Sequence, residues 1–390
     1  MIVYSGIYTE NINVSKELTI VSQSGDPEDT VVQAFNQENV VFNVTANNVT
    51  IRGFKVNGYL MGIYLNGVQH NIISNNEVYG SEWGIFLYDS SDNTLSNNIA
   101  RASSFDTIHL FYSNNNMLIN NSACGSMVNG IGLSSSDNNI LRDNTASWND
   151  FGIWLASSSN NTLSNNYIRG NDECGIILSP SANNNKLDNN KLLFNGDGIS
   201  LMHSSSNNML SNNNISGGLD VGIELYNCSN NTLTGNTASK NEDCGISLTN
   251  SMDNVIYNNY FNNTNNAYDD ANNIWNVTKT AGPNIIGGPF LGGNYWSDYA
   301  GIDTDGDGLG DTLRPYDSAG QIANGGDYLP LVASIGDDDV EYNPYDTNQD
   351  CKISMEELLV AIDDYYSGDL EIRGLLKTIE YYHLGEAGYC

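Results

Sequence analysis

Between residues 62 and 248 the apolar positions fall into a short refrain that returns at near-constant distance. It opens as Gly62-Ile63-Tyr64-Leu65, Gly84-Ile85-Phe86-Leu87, Thr107-Ile108-His109-Leu110, Gly130-Ile131-Gly132-Leu133 and Gly152-Ile153-Trp154-Leu155. Four further copies begin at Gly175, Gly198, Gly222 and Gly245, and successive starts lie 22 to 24 residues apart. Within each copy Ile and Leu alternate with a variable residue, the period-two pattern of a half-buried strand. A second short apolar stretch follows later in each period, as in "NTLSNN", "NMLINN" and "NKLDNN".

A fixed period this short predicts a solenoid. Two strands of three or four residues per period, separated by Asn, Ser and Gly turns, do not suit an antiparallel sandwich, but they can coil. The expected fold is all-β, a right-handed single-stranded parallel β-helix over residues 1–265. Neighbouring coils would stack at about 4.8 Å, with the Ile and Leu of each refrain turned inward. The Asn that closes the second stretch recurs as Asn76, Asn98, Asn121, Asn144, Asn166, Asn190, Asn213, Asn236 and Asn259. Stacked amides donate and accept along a column, so these residues are expected to form a structural ladder. The same repeat generates Asn-x-Ser/Thr sequons by chance, at Asn43, Asn48, Asn160, Asn230 and Asn276, which do not by themselves establish glycosylation.

Strand alternation turns the variable residue of each refrain outward. The outward track runs Tyr64, Phe86, His109, Gly132, Trp154, Ile177, Ser200, Glu224 and Ser247, with Tyr88, Phe111 and Tyr226 two residues further along their coils. Tyr64, Phe86, Tyr88, His109, Phe111 and Trp154 are therefore a candidate binding surface for sugar rings or a partner protein. Ring stacking that merely stabilises the sheet is the competing explanation. A row of acids precedes the refrains: Glu82, Asp106, Asp150, Glu173, Asp197, Asp220 and Asp243. Its register shifts from coil to coil, which suits solvated turns better than paired catalytic carboxylates.

Charge narrows the partners. Asp and Glu number 46 against 14 Lys and Arg, a formal charge of -32. Such a surface repels nucleic acid and anionic membranes and attracts cations. No stretch approaches the roughly 18 apolar residues of a membrane span. The opening "MIVYSGIYTENINV" lacks the regions of a signal peptide, so a trimmed chain or an open first coil is expected, and an open coil could stack end to end on another copy. His70, His109, His203 and His383 are scattered, and no soft-metal, nucleophile or phosphate-loop motif is present.

Beyond residue 265 the refrain fades into a Gly- and aromatic-rich segment, 266–335, expected to plug the helix end. It contains "DTDGDGLGDT", with Asp303, Asp305, Asp307 and Asp311 at positions 1, 3, 5 and 9 of a calcium-type loop, Leu309 at the carbonyl position and Gly308 at the turn. Position 12 is Arg314, so Asp317 or Asp327 would have to complete the shell. A second loop, "DTNQDCKISMEE" within a module at 340–390, places Asp346, Asn348, Asp350, Lys352, Ser354 and Glu357 at ligand positions, with Cys351 where Gly is expected. Ser354 and Glu357 also form a capping box for the helical sequence that follows. Calcium at two sites is therefore the expected cofactor. Cys351 and Cys390 are a candidate bridge for so small a module.

The "GIxLxxSxxNxLxxN" repeat and "GGNYWSDYAGIDTDGDGLGD" resemble the NosD-like parallel β-helix proteins, within the pectate-lyase-like carbohydrate-binding and sugar-hydrolase superfamily, in their archaeal cell-surface form. The last segment resembles dockerin-like or EF-hand modules. The resemblance implies an extracellular, calcium-bound, non-enzymatic scaffold. Its copper-related name has no matching ligands here. The expected function is a structural or adhesive surface rod that self-assembles or docks to other surface proteins or glycans. The alternative is a glycan-binding module or a uronate-polymer epimerase or lyase, for which only His109, Glu224, Arg142 and Arg169 are available, on different coils.

Overall fold

The computed structural model describes residues 1–333 together with Ser354, Glu357, Leu358, Val360 and Ala361. The chain divides into two compact units, Met1–Ser334 and Ile335–Cys390.

Unit 1 is a right-handed parallel β-solenoid of about twelve coils, built as three sheets of 12, 13 and 12 strands. One coil shows the logic. Phe151–Ala156 lies in the third sheet, Thr162–Ser164 in the first and Tyr167–Arg169 in the second; the chain then re-enters the third sheet at Cys174–Leu178, directly over Phe151–Ala156. Each coil therefore carries three strands, not the two expected. The strand missed is the second-sheet one, in many coils a triplet such as Thr145–Ser147, whose single inward residue, Ala146, is too small to register as an apolar stretch.

Inward residues meet in register. Ile153 pairs with Ile131 and Ile176, Leu163 with Leu141 and Leu187, and Ile168 with Ala146 and Leu192, all of them solvent-inaccessible.

The corners explain the abundance of Asn. In the same coil Ser157, Asn160, Asn165 and Gly170 have φ of 48°, 58°, 56° and 62°, and each is followed by a buried polar residue: Ser158, Asn161, Asn166 and Asn171. A left-handed residue turns the chain, which Asn and Gly tolerate best, and the next side chain stacks inside. Asn98 shows why the stacked residue is an amide. Its Nδ2 donates to Asn121 Oδ1 at 3.0 Å and to the Ile73 carbonyl at 2.8 Å, while its Oδ1 accepts from Asn76 N–H and Asn76 Nδ2, both at 3.1 Å. Both donors and both lone pairs are used. This column runs from Asn76 through Asn259 to Asn294. A second runs from Asn71 through Asn93, Asn116 and Asn139 to Asn254 and Asn273, a shorter third joins Asn149, Asn171 and Asn195, and Ser90, Ser113, Ser136 and Ser158 form a hydroxyl column.

After Ala267–Asp269 the chain closes the end of the solenoid. Tyr295–Trp296 pairs with Tyr260–Asn262, Ile274 bridges to Val255, and Ile322 to Asp269, so all three sheets have their last strand partnered. Pairing removes the exposed edges on which other chains could template. Trp296 stacks on Phe261 at 4.8 Å and on Tyr316 at 4.4 Å, with Trp275 at 5.6 Å, laying an aromatic lid over the aliphatic core.

In unit 2 the Ser354 N–H donates to Glu357 Oε2 at 2.9 Å and the Glu357 N–H to Ser354 Oγ at 3.3 Å, a reciprocal capping box opening a helical turn with Leu358 and Ala361 buried. Asp346, Asn348, Asp350, Cys351, Lys352 and Cys390 lie outside the described residues.

Candidate functional site

The outer face of the third sheet carries the rings. Register places Tyr64, Phe86, His109, Gly132 and Trp154 one above another. Tyr64 and Phe86 stack at 5.5 Å and 19°, Phe86 meets His109 at 5.3 Å, and Tyr88 and Phe111 stack at 5.9 Å in the adjacent column. Residues absent from the sequence-derived set widen the face: Trp83 stacks on Phe105 at 4.6 Å, and Tyr112 packs on Phe111 at 4.2 Å. Trp154 stands apart from this group, with Phe151 at 5.1 Å and its Nε1 donating to the Ser179 carbonyl at 2.8 Å.

The gap at Gly132 has a cause. Asp106, expected on a solvated turn, is buried, and its Oδ2 takes the Nδ1 of His109. Its Oδ1 accepts the Asn129 N–H at 3.2 Å and Asn129 Nδ2 at 2.9 Å. A Cβ at residue 132 would stand 2.2 Å from Asp106 Oδ2, so only glycine fits there. With Nδ1 committed to the carboxylate, Nε2 is the ring nitrogen left for a ligand. The sequence did carry a signal: this coil alone has Thr107 where its neighbours have Gly, and the next coil has Gly132 where they have a side chain.

Higher on the same face Asp197 and Glu224 flank Ser200, whose Oγ lies 3.2 Å from Asp197 Oδ2 and 3.4 Å from Glu224 Oε2. Burial raises both carboxyls above their ordinary values, and the charge of Asp197 raises Glu224 further. Asp220 and Asp243, by contrast, are exposed.

In the Asp-rich loop Asp303, Asp305 and Asp311 each offer a carboxylate oxygen within 4.8 Å of the others. Slight burial pushes Asp303 up, but N–H donors from Gly308, Gly306 and Asp307 outweigh it and hold the carboxyl below its usual value. Thr304 does the same for Asp311 through its hydroxyl and N–H. Asp307, an expected ligand, turns instead to the Lys279 ammonium, and Leu309 is buried in a bridge to Leu331. Neither acid named to complete the shell lies in this cluster. Asp317 accepts the Gly320 N–H at 3.2 Å, and Asp327 is buried beneath the lid, where it accepts Trp296 Nε1 at 2.9 Å and the Asn294 N–H at 2.7 Å.

These features define a right-handed β-helix with an aromatic outer face and a carboxylate-rich loop at its closing end. Residues 128–301 match the family model described as periplasmic copper-binding protein (NosD), and residues 38–192 match the model of the right handed beta helix region. Among solved structures the chain is similar to the A-module of Azotobacter vinelandii mannuronan C-5 epimerase AlgE6, at TM-score 0.62 and 16% identity over 70% of this chain and 88% of that one. It is similar too to the periplasmic alginate epimerase AlgG, at TM-score 0.58 and 16% identity over 70% and 78%. The catalytic domain of a GH87 alpha-1,3-glucanase gives TM-score 0.56 and 18% identity over 69% and 62%. No curated protein sequence matches. The β-helix fold is thus shared with polysaccharide epimerases and glucanases. Among the described residues no helix is long and apolar enough to cross a membrane.

Proposed function

We propose that the chain is an extracellular adhesive rod that holds carbohydrate along the outer face of its third sheet. The observation that carries this reading is the continuous ring surface made by Tyr64, Phe86, Tyr88, Phe111 and Tyr112 around His109. Sugar rings present C–H faces that pack on aromatic faces, and the His109 Nε2 supplies a hydrogen-bonding group beside them. The strands of this sheet contain no Lys or Arg, which favours a neutral glycan over a polyuronate. The test is calorimetric titration with neutral polysaccharides. Replacing Phe86→Ala together with Tyr88→Ala should weaken binding about tenfold. Unchanged affinity sinks the reading, and self-association abolished by the same substitutions would make another copy of the chain the partner.

A second reading, hydrolysis of a glycan, is favoured by Asp197 and Glu224, two carboxyls with raised proton affinity on one exposed sheet. Here Glu224→Gln should abolish release of reducing ends while leaving binding at Phe86 intact.

Calcium is the proposed ion, held by Asp303, Asp305 and Asp311, because oxygen-only donors in a Gly-containing loop suit a hard cation. Copper, named in the family description, does not fit the described residues. His109 Nδ1 is committed to Asp106, His203 packs edge-on against Tyr226 at 5.6 Å, and burial pushes the thiols of Cys228 and Cys244 up to about 11 and Cys174 further still. Softer metals want converging imidazole or thiolate donors, which these groups do not supply.

A further inference from the structure

A different corner of the solenoid, between the second and third sheets, carries two aromatic residues in the left-handed conformation that the turn requires and that a large side chain suits poorly. Trp148 and Phe194 have φ of 59° and 55°, and they are 65% and 57% exposed. The left-handed region is unfavourable for a bulky side chain. At the equivalent corner of other coils the chain uses Gly80, Gly125, Gly170 and Gly217, with Ala102 and Lys240 at two more, all at positive φ. Two of these glycines receive the rings: a Cβ on Gly170 would stand 2.8 Å from the Trp148 ring and one on Gly217 2.8 Å from the Phe194 ring. The sequence thus holds large apolar rings over glycine backbone, open to solvent, where glycine would be the easier choice.

Between the two rings stands Arg169, its guanidinium 6.0 Å from the Trp148 centroid and 5.5 Å from the Phe194 centroid. One coil on, Lys191 lies 5.8 Å from the ring of Tyr167. The cations of this sheet are divided. Lys55 and Arg101 are neutralised by Glu28 and Glu77, at 2.8 Å and 3.3 Å, whereas Arg169 and Lys191 make no ion pair among the described residues. In a chain of formal charge -32, two unneutralised cations on adjacent coils among three rings are a complement to negative charge, not a solvated average.

We propose that Trp148, Arg169 and Phe194, with Tyr167 and Lys191, form a binding site for an acidic carbohydrate, a uronate chain. Trp148 and Phe194 stand two coils apart, about 10 Å, so they pack on alternate sugars of an extended chain. The planar fork of Arg169 between them meets the carboxylate of the intervening sugar, and Lys191 meets the next charge along. This site lies on another sheet from the neutral-glycan face proposed above, and it requires ligand of the opposite character. Two such faces on one rod would let it join two kinds of polysaccharide.

The test is calorimetric titration of the intact chain with a short homo-oligouronate at physiological ionic strength, with a neutral oligosaccharide of equal length alongside. Trp148→Gly with Phe194→Gly is the key variant, because glycine holds the same positive φ at this corner of four other coils and the fold is retained. It should melt no lower than the parent while binding oligouronate about tenfold or more weakly. Arg169→Gln should erase the preference for the charged oligomer. Failure of the parent to bind oligouronate, equal affinity in the double-glycine variant, or equal affinity of the parent for the neutral oligomer would each overturn the proposal. Phe86→Ala should leave oligouronate affinity unchanged, which separates the fate of this site from that of the third-sheet face.

Discussion

The coils and the closing segment solve the same problem, buried polar groups, by opposite chemistry. In the coils the columns bury neutral amides and hydroxyls, satisfied by their counterparts in the next coil, and Asp106 beside His109 is the exception. At the closing end there is no next coil, and carboxyls are buried beside the amides of Asn284 and Asn294. Asp327 accepts Trp296 Nε1, the Asn294 N–H and the Leu329 N–H, and Asp269 accepts Trp275 Nε1 at 3.0 Å. Repetition makes a charge-free interior possible; a unique end must draw on stronger acceptors, and these titrate. The amide columns should therefore be indifferent to pH and ions, whereas the end should respond to both; the titrating groups of the coils, Asp197 and Glu224, sit on the outer face and not in the columns.

The largest effect expected comes from breaking a column. Asn144→Leu removes the acceptor of the Asn121 N–H and Nδ2 and the donor to the Leu118 carbonyl. Leaving these groups buried and unpaired should lower stability by about 5 kcal/mol in denaturant unfolding, equally at acid and neutral pH. A loss below about 1 kcal/mol would show that water or local repacking replaces the ladder.

Next in size is the titration of Asp327. Burial pushes its carboxyl up to about 7, against the pull of its N–H donors. The folded chain then keeps a proton that the unfolded chain loses near pH 4. This contribution is complete below about pH 4 and declines as pH rises through about 7, by at most roughly 4 kcal/mol. Melting temperature should fall from pH 5 to pH 8, and Trp296 emission should change with the same midpoint. Asp327→Asn should flatten both. A flat profile in the parent would place the charge in a better-solvated setting than its burial implies.

Calcium should act on the same end. Saturating Ca²⁺ should raise stability by about 2 to 3 kcal/mol, with hydrogen exchange slowed around residues 298–332 and unchanged in the coils. Asp303→Asn should remove the effect. Smallest of all is Asn165→Gly, at a left-handed corner outside the column, where a change within about 0.5 kcal/mol is expected.

The coils were legible because their message is repeated. One Ile-x-Leu says little, but nine in register fix the inward face, and the recurring Asn marks one corner. Several second-sheet strands stayed hidden because Ala123, Ala146 and Ala238 give little contrast against the Ser, Thr and Cys beside them. The companion column through Asn71 to Asn273 had the same period as the one recognised and was missed only because its members sit before the second strand, among other Asn. Asp106 and His109 are three residues apart, yet their contact depends on a vacancy at Gly132 in another coil, which one refrain cannot announce. The closing segment occurs once, so Asp307 and Asp327 could be read only against a loop template. The template did not know that Lys279 or the Trp296 indole would claim them.

The columns also have a consequence for length. Every interior coil offers its neighbours the same set on both sides: Nδ2 forward, Oδ1 back, an Ile and a Leu in matching places. A whole period could be duplicated or excised and the joint would close with the hydrogen bonds it had before, since the last amide, Asn259, passes its donor to Asn294 whatever the number of turns beneath it. The solenoid is in this sense a ruler with repeating graduations, and evolution can set the distance between its first and last coils without redesigning either.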